Sequence, residues 1–363
     1  TDYDVIYFSS KTNAPLENAR LDLKNYDLYI NGIDQIFLSD SQNVVLLPDK
    51  RQIIMKRNRN FQFDGIIRAG LFTYFGSNFF FDYEGFKLNL QNIDSLNIMV
   101  KTGKYDNYGQ PVVNDVSNFI EQATGELLID DPTNKSGLVD HPKYPVFTSR
   151  ENSFVYFNEP EIQKGVYKKK DFFFVIYPFT IDSLDNFTQE GLQLAGSFES
   201  GGILPPMEQI LSLRNDYSLG FYYKTPTEGI PLYNGKGTFY KDVELSGRGL
   251  HGYGQLDYLT STTFSDDFLM HPDSLMAVSR EFMIRKQTVA PEFPRVNSSN
   301  NQITWLTKKD QFFSLKKDRD FTMFNDSVRL GGDLILQPAG LTGKGRMNLV
   351  DATIGSDVFT YKA

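Results

Sequence analysis

The chain contains no cysteine, one tryptophan and three histidines among 363 residues. Without cysteine there is no disulfide framework, no thiol nucleophile and no thiolate metal site. The short histidine supply (His141, His251 and His271) leaves little for general-base or zinc chemistry, and no His-x-x-x-His spacing occurs. Basic residues are also in deficit: 37 Lys and Arg against 45 Asp and Glu give a net charge of −8. A surface of that sign repels phosphate backbones, so no nucleic-acid partner is expected. No apolar run reaches the roughly 18 residues that a membrane helix needs, so no helical span is expected in this segment. A signal peptide is lacking too; the chain opens at Thr1 and reads at once as strand, Val5-Ile6-Tyr7-Phe8. The expectation is that a processed leader or further protein precedes it.

Aromatic residues are abundant, with 31 Phe and 20 Tyr. The dominant hydrophobic period is two. Phe86, Leu88 and Leu90 alternate with Lys87 and Asn89, and Val243 and Leu245 alternate with Asp242 and Glu244. Such alternation turns one face of a strand inward and one outward. Turn pairs such as Asn31-Gly32, Asp64-Gly65 and Asn234-Gly235 punctuate the strands. The pattern predicts an all-β chain, built as stacked antiparallel sheet modules or as an irregular β-solenoid. Two short helices are expected, Asp115 to Ala123 stopped by Gly125, and Met207 to Leu213 after Pro205-Pro206. The Pro- and Gly-containing stretch 130–145 reads as an irregular connection. The expected organisation is a β-rich module at 1–129, that connection, a second module at 146–230, and a repeat-containing module at 231–363 that continues past its last residue.

The repeat is the strongest signal. Residues 245–270 (LSGRGLHGYGQLDYLTSTTFSDDFLM) and 336–361 (LQPAGLTGKGRMNLVDATIGSDVFTY) align without a gap at an offset of 91, from 336 − 245. Gly249, Gly252 and Gly254 match Gly340, Gly343 and Gly345; Thr262, Ser265-Asp266 and Phe268 match Thr353, Ser356-Asp357 and Phe359. Glycine weakens a strand unless geometry requires it, so these six positions predict a bend or a close approach of backbones. Ile93-Asp94-Ser95-Leu96 and Ile181-Asp182-Ser183-Leu184 form a fainter echo 88 residues apart, from 181 − 93. A stacked fold ending at Tyr361 leaves an open sheet edge, so paired structure is expected beyond both ends.

A search for chemistry returns little. The glycines at 249–254 lead into Leu256 and Tyr258 rather than a helix, so they lack the context of a phosphate loop. No Gly-x-Ser-x-Gly elbow occurs. Asp130-Asp131, Asp266-Asp267 and Glu159 with Glu161 offer acid pairs of the kind a glycosidase uses. Calcium could find oxygens near the Asp pairs, but no Asp-x-Asp-x-Asp-Gly loop is present. Lys168-Lys169-Lys170 reads as a solvated turn guarding Phe172-Phe173-Phe174. The aromatic clusters at 79–86, 172–179 and 221–223 are expected in the core, with an exposed stacking platform as the alternative. No catalytic residue, cofactor or metal ligand is assigned.

Phe61 to Tyr83, Gly201-Gly202-Ile203-Leu204-Pro205, Asp216 to Phe221 and the glycine copies resemble segments of large β-rich cell-envelope proteins of Bacteroidota, a group with no assigned activity. The resemblance implies an exported protein of the periplasm or cell surface, and that phylum O-glycosylates exported proteins at Asp-Ser/Thr-apolar triplets. Here Asp94-Ser95-Leu96, Asp182-Ser183-Leu184, Asp273-Ser274-Leu275 and Asp326-Ser327-Val328 fit, where roughly one is expected from ordinary composition. Ser95, Ser183, Ser274 and Ser327 are therefore candidate glycosylation sites. The expected function is a non-enzymatic structural or assembly component of an envelope complex, with other envelope or surface proteins as partners. The alternatives are a carbohydrate-binding module, whose partners would be glycans, and a glycoside-active enzyme.

Overall fold

The computed structural model describes residues 9–13, 16–39 and 42–363; the expected strand Val5 to Phe8 lies outside the described residues. The chain is all-β, and its ladders are antiparallel. Of the two arrangements expected, the antiparallel modules are realised; a solenoid would stack its coils in parallel. The helical elements among the described residues are five three-residue 3-10 turns. Both helices expected from sequence are corrected. Pro111–Asp115 and Ile120–Leu128 are strands, as is Met207–Leu213. In the first, Val116 and Ile120 are buried but Phe119 is 44% exposed, which breaks the helical face. In the second, Met-Glu-Gln-Ile-Leu-Ser-Leu alternates as well with period two as with 3.6, and tertiary pairing decides.

The residues group into two compact units. Unit 1 comprises the described residues up to Tyr156 with Phe174–Ser197 and Ile210–Leu219, and unit 2 comprises Phe157–Phe173, Phe198–Gln209 and Gly220–Ala363.

Unit 2 contains a continuous meander. Gly237–Ser246 pairs with Gly249–Tyr258, which pairs with Ser261–His271. The next three strands are each split in two: Ser274–Ser279 and Glu281–Ile284, then Val296–Ser298 and Asn301–Leu306, then Gln311–Lys316 and Phe321–Met323. Val328–Gln337, Gly340–Asn348 and Thr353–Tyr361 complete it. The splits are aligned with bulges. Lys241 faces Gly254, which faces Ser265, and on the far side Gly332 faces Gly345, which faces Ser356. Between them lie the breaks at Arg280, Ser299-Asn300 and residues 317–320. Bulges bend the strand that carries them, so a row of them creases the sheet.

The crease folds the sheet onto itself. Tyr258 and Leu250 lie eight residues apart on one strand, roughly 26 Å along a flat ribbon. Trp305 belongs with Leu250's end, through Leu275 and Met270. Even so, the Tyr258 and Trp305 rings are 4.5 Å apart. Phe282 reaches Phe312 at 6.0 Å, and Phe239 meets Phe268 edge-on at 5.5 Å, each across the fold. The two halves thus face one another over a core in which Trp305, Phe239, Phe268 and Phe312 are fully buried. Each such ring contributes about 1.5–3 kcal/mol by leaving water.

The two sequence copies are one and the same bulged hairpin. Gly252 faces Phe268 and Gly254 faces Ser265; Gly343 faces Phe359 and Gly345 faces Ser356, with the register shift at the same place. Ser265 Oγ donates to the Asp267 carbonyl (2.9 Å) and accepts from its N–H (3.1 Å), and Ser356 does the same with Val358 (2.8 and 3.2 Å). Thr262 donates to Asp257 and Thr353 to Asn348, again equivalent. The fainter echo has no such basis, since Ile93 to Leu96 lies inside the strand Lys87–Tyr105 while Asp182 to Leu184 enters a 3-10 turn.

Unit 1 carries a third hairpin of this build, unrecognised in the sequence. In Phe61–Ala69 with Phe72–Asp82, Phe63 faces Phe79 and Gly65 faces Gly76, with the shift between them. Its core is again aromatic: Phe61 on Phe81 (4.8 Å) and Tyr74 on Phe147 (5.1 Å). At the tip of this hairpin, the Leu71 N–H donates to the Leu184 carbonyl (3.0 Å) and Asp185 lies over Gly70. Burial pushes the Asp185 carboxyl up to about 6, against the pull of Lys101. A carboxyl whose folded pKa exceeds its unfolded value favours folding only while protonated, so stability falls as pH rises from about 4 to 6. For this half-buried group the loss is on the order of 1–2 kcal/mol after solvent screening. Asp185→Asn is expected to remove that slope, measured as urea midpoints at pH 4.5 and 7.5; an equal slope in both proteins would refute the assignment.

Candidate functional site

Asp130, Asp131, His141, His251 and Asp267, among the acids and histidines singled out in the sequence, tie the fold together. Asp130 is 1% exposed. Its Oδ1 accepts from the Asp131 N–H (2.7 Å) and contacts His141 Nδ1 (2.9 Å), and its Oδ2 accepts from Asn134 Nδ2 (2.8 Å) and Gln42 Nε2 (3.2 Å). This carboxylate organises the 130–145 connection from inside unit 1. Asp131 in turn caps the turn at Thr133, whose hydroxyl and N–H hold its carboxyl below the usual carboxylate range.

In unit 2, His251 Nδ1 lies 2.6 Å from Asp267 Oδ1 and Nε2 lies 3.2 Å from the Arg248 carbonyl. With both ring nitrogens engaged and the side chain 8% exposed, no nitrogen faces a reacting group, which a general base requires. In the second copy His251 and Asp267 are replaced together, by Thr342 and Val358. Beside them Tyr253 OH donates to Glu244 Oε2 (2.8 Å) and accepts from Arg248 Nη2 (2.9 Å), and burial with that acceptor pushes the phenol up to about 12. His271 lies edge-on to Tyr167 at 6.0 Å, and burial lowers its pKa. Among the described residues no group of three or more His, Asp or Glu is arranged to hold a metal ion.

The glycines of the repeat divide by cause. Gly254 and Gly345 have φ of +145° and +126°, and a Cβ on them would lie 2.4 Å from the Tyr240 carbonyl and 2.6 Å from that of Gly331. At these two positions the backbones of neighbouring strands approach closely. Gly252 instead makes room for side chains, the Phe239 ring and the Met270 methyl, both 2.5 Å from such a Cβ. Gly343 faces the Asp333 carbonyl at 2.8 Å. Gly249 accommodates Tyr167, whose hydroxyl accepts from the Leu250 N–H (3.0 Å) and donates to the Met270 carbonyl (2.9 Å). Gly340, its counterpart, has nothing within 4 Å.

The aromatic clusters are mainly core. Phe79, Phe81, Phe172, Phe174 and Phe221 are buried, and Tyr222 is the exposed member. What the crease does create is a groove of about 940 Å³ on the outer surface of unit 2. Its floor is Leu269, Met276 and Val278, the residues that alternate with buried Phe268, Met270 and Ala277. Its rim is polar: Arg280 Nη1 donates to Asp266 Oδ1 (2.8 Å), and Asn300 Nδ2 donates to Asp318. Unit 1 has a smaller counterpart of about 370 Å³ on its own bulge line, with Asn89, Gln91 and Arg150 beside Phe80. An apolar floor under amide, guanidinium and carboxylate groups suits a ligand with hydroxyl or amide edges and an apolar face. The chain matches no protein-family model, no curated protein and no solved structure.

The four candidate glycosylation serines are dispersed. Ser327 is exposed on a turn; Ser183, at φ +54°, and Ser274, at the start of its strand, are half-buried. Ser95 is half-buried within a strand, paired with Phe75 and Glu121 on either side. The four preceding aspartates are all exposed.

Proposed function

We propose that this chain is a non-enzymatic structural component that assembles with other proteins of a bacterial envelope. The observation that carries the reading is the reuse of one bulged hairpin three times to build creased sheets whose interiors are consumed by aromatic packing. Such sheets offer long edges and broad outer faces, which serve association. Chemical cross-linking in the native host, followed by identification of linked peptides, tests it: links from surface lysines to envelope proteins support the reading, and links to cytosolic proteins alone sink it.

A second reading, carbohydrate binding, is favoured by the unit 2 groove, whose rim carries Asn300, Gln302 and Arg280. On a glycan array, Asn300→Ala with Arg280→Ala is expected to abolish any binding that this groove provides.

Export would be supported by modification. Ser327 is the best placed of the four triplet serines, because a bulky hydrated glycan needs a solvent-facing hydroxyl. Peptides covering Ser327 from the native host are expected to carry a glycan mass. Ser183 and Ser274 are expected to follow, and Ser95 to be the least modified. Unmodified peptides at all four would remove the argument from these triplets.

A further inference from the structure

We propose that the unit 1 groove binds a neutral oligosaccharide of N-acetylated amino sugars, with one ring stacked on Phe80. The proposal rests on the carbohydrate reading and deepens it, adding a second site with a stated ligand class. The two grooves occupy the same place in their two sheets. Phe80 faces Asn89 in unit 1 as Leu269 faces Met276 in unit 2. One residue along, Leu90 lies between Phe79 and Gly125 as Ala277 lies between Phe268 and Ile303. Each groove has a left-handed residue on that last strand line, Gln122 at φ +58° and Asn300 at φ +57°.

What differs is the floor. Where unit 2 has Leu269, Met276 and Val278, unit 1 has Phe80, Asn89 and Gln91. Phe80 is half-buried, with Gln62 and Asn89 flanking it on the neighbouring strands and Gln91 exposed beside them. A sugar ring has an apolar face of C–H groups that covers such a ring, and a polar edge that the amides meet. Among the described residues the side-chain amides of Asn89 and Gln91 bond to nothing else. Each offers an acceptor and two donors, and an acetamido group offers the complementary donor and acceptor.

Charge on the wall argues for a neutral ligand. Glu126 faces Asn89, and its Oε2 lies 2.8 Å from both Lys87 Nζ and Arg150 Nη2. Glu151 stands beside Arg150 on the rim, so the two cations meet two anions and no net charge is left to attract an acidic sugar. The volume of about 370 Å³ falls within the range of small-ligand sites, about 300–1,000 Å³.

The test titrates the full chain with chitohexaose, the β-1,4-linked hexamer of N-acetylglucosamine, by calorimetry. Cellohexaose, with the same linkage but no acetamido groups, is the comparison. Saturable chitohexaose binding is expected, about tenfold tighter than that of cellohexaose, with amide exchange slowed in 87–91. Phe80→Leu and Gln91→Val give unit 1 the residues of unit 2 and replace side chains that are not fully buried, so the melting temperature is expected to hold. Together they are expected to weaken binding about tenfold. Absence of saturable binding, equal affinity for the two sugars, or affinity indifferent to the Phe80→Leu, Gln91→Val pair would overturn the proposal. Binding that survives this pair and is lost with Arg280→Ala and Asn300→Ala would overturn it while leaving the unit 2 reading standing. Binding lost with the unit 1 pair supports the proposal whatever the unit 2 variants do on the glycan array, so the two sites stand or fall separately.

Discussion

Asp130→Ala is expected to destabilise unit 1 by about 3–5 kcal/mol, because it deletes a buried carboxylate while leaving its donors in place. Gln42 and Asn134 are both buried and would lose their acceptor, as would the Asp131 N–H. At roughly 2–4 °C per kcal/mol for a body of this size, the melting temperature of that unit should fall by about 10 °C. Asp130→Asn keeps one acceptor oxygen but turns an amide N–H₂ toward other donors, so an intermediate loss is expected. His141→Ala should cost less, since its ring is one-third exposed and water can replace it. Calorimetry of the three variants gives the ranking; an Asp130→Ala protein that melts with the parent would mean that the 130–145 loop is held some other way.

The second large effect is expected at the crease. Gly254→Val places a Cβ 2.4 Å from a backbone carbonyl at φ +145°, a clash that cannot relax without moving the ladder. A loss of about 3 kcal/mol or more is expected, from backbone strain and overpacking together. Gly345→Val meets the same obstacle at 2.6 Å, but in a hairpin at the sheet edge, where the backbone can yield, so the loss should be smaller. Gly252→Val presses on the Phe239 ring and the Met270 methyl, for a loss of about 1–3 kcal/mol. Gly340→Ala is the control: it has positive φ but open space, so about 1 kcal/mol is expected from conformation alone. Urea denaturation of the four variants measures the series. Equal losses at Gly254 and Gly340 would show that the crease is not a close approach.

The legible part of this protein was the part encoded locally. Alternation of Val243 and Leu245 with charged neighbours predicts strand because side chains on a strand point to opposite faces. The 91-residue match predicts equivalent hairpins because it preserves the glycines, the bulge serine and the Thr that bonds across the turn. The third hairpin escaped because, of the residues the two copies have in common, it keeps only Gly65, Thr73 and Phe79, and the ladder register it also shares is not written in residue types. Met207–Leu213 escaped because seven residues fit both periods.

The candidate groove was not legible at all. It needs Asp266, Arg280 and Asn300, far apart in sequence, to stand side by side on one line. Nor could the sequence show that His251 spends both nitrogens on Asp267 and a carbonyl, although their joint replacement in the second copy was a signal that they belong together. The sequence by itself determined the strand class, because alternation is set by immediate neighbours, and the repeat, because two segments match directly; what each repeat glycine makes room for was decided by the neighbouring strands, as Gly254 beneath the Tyr240 carbonyl shows. Tertiary structure alone decided that the bulges of successive strands fall in register and crease the sheet. It alone brought Tyr258 onto Trp305, because that contact depends on the summed alignment of many ladders rather than on any one of them.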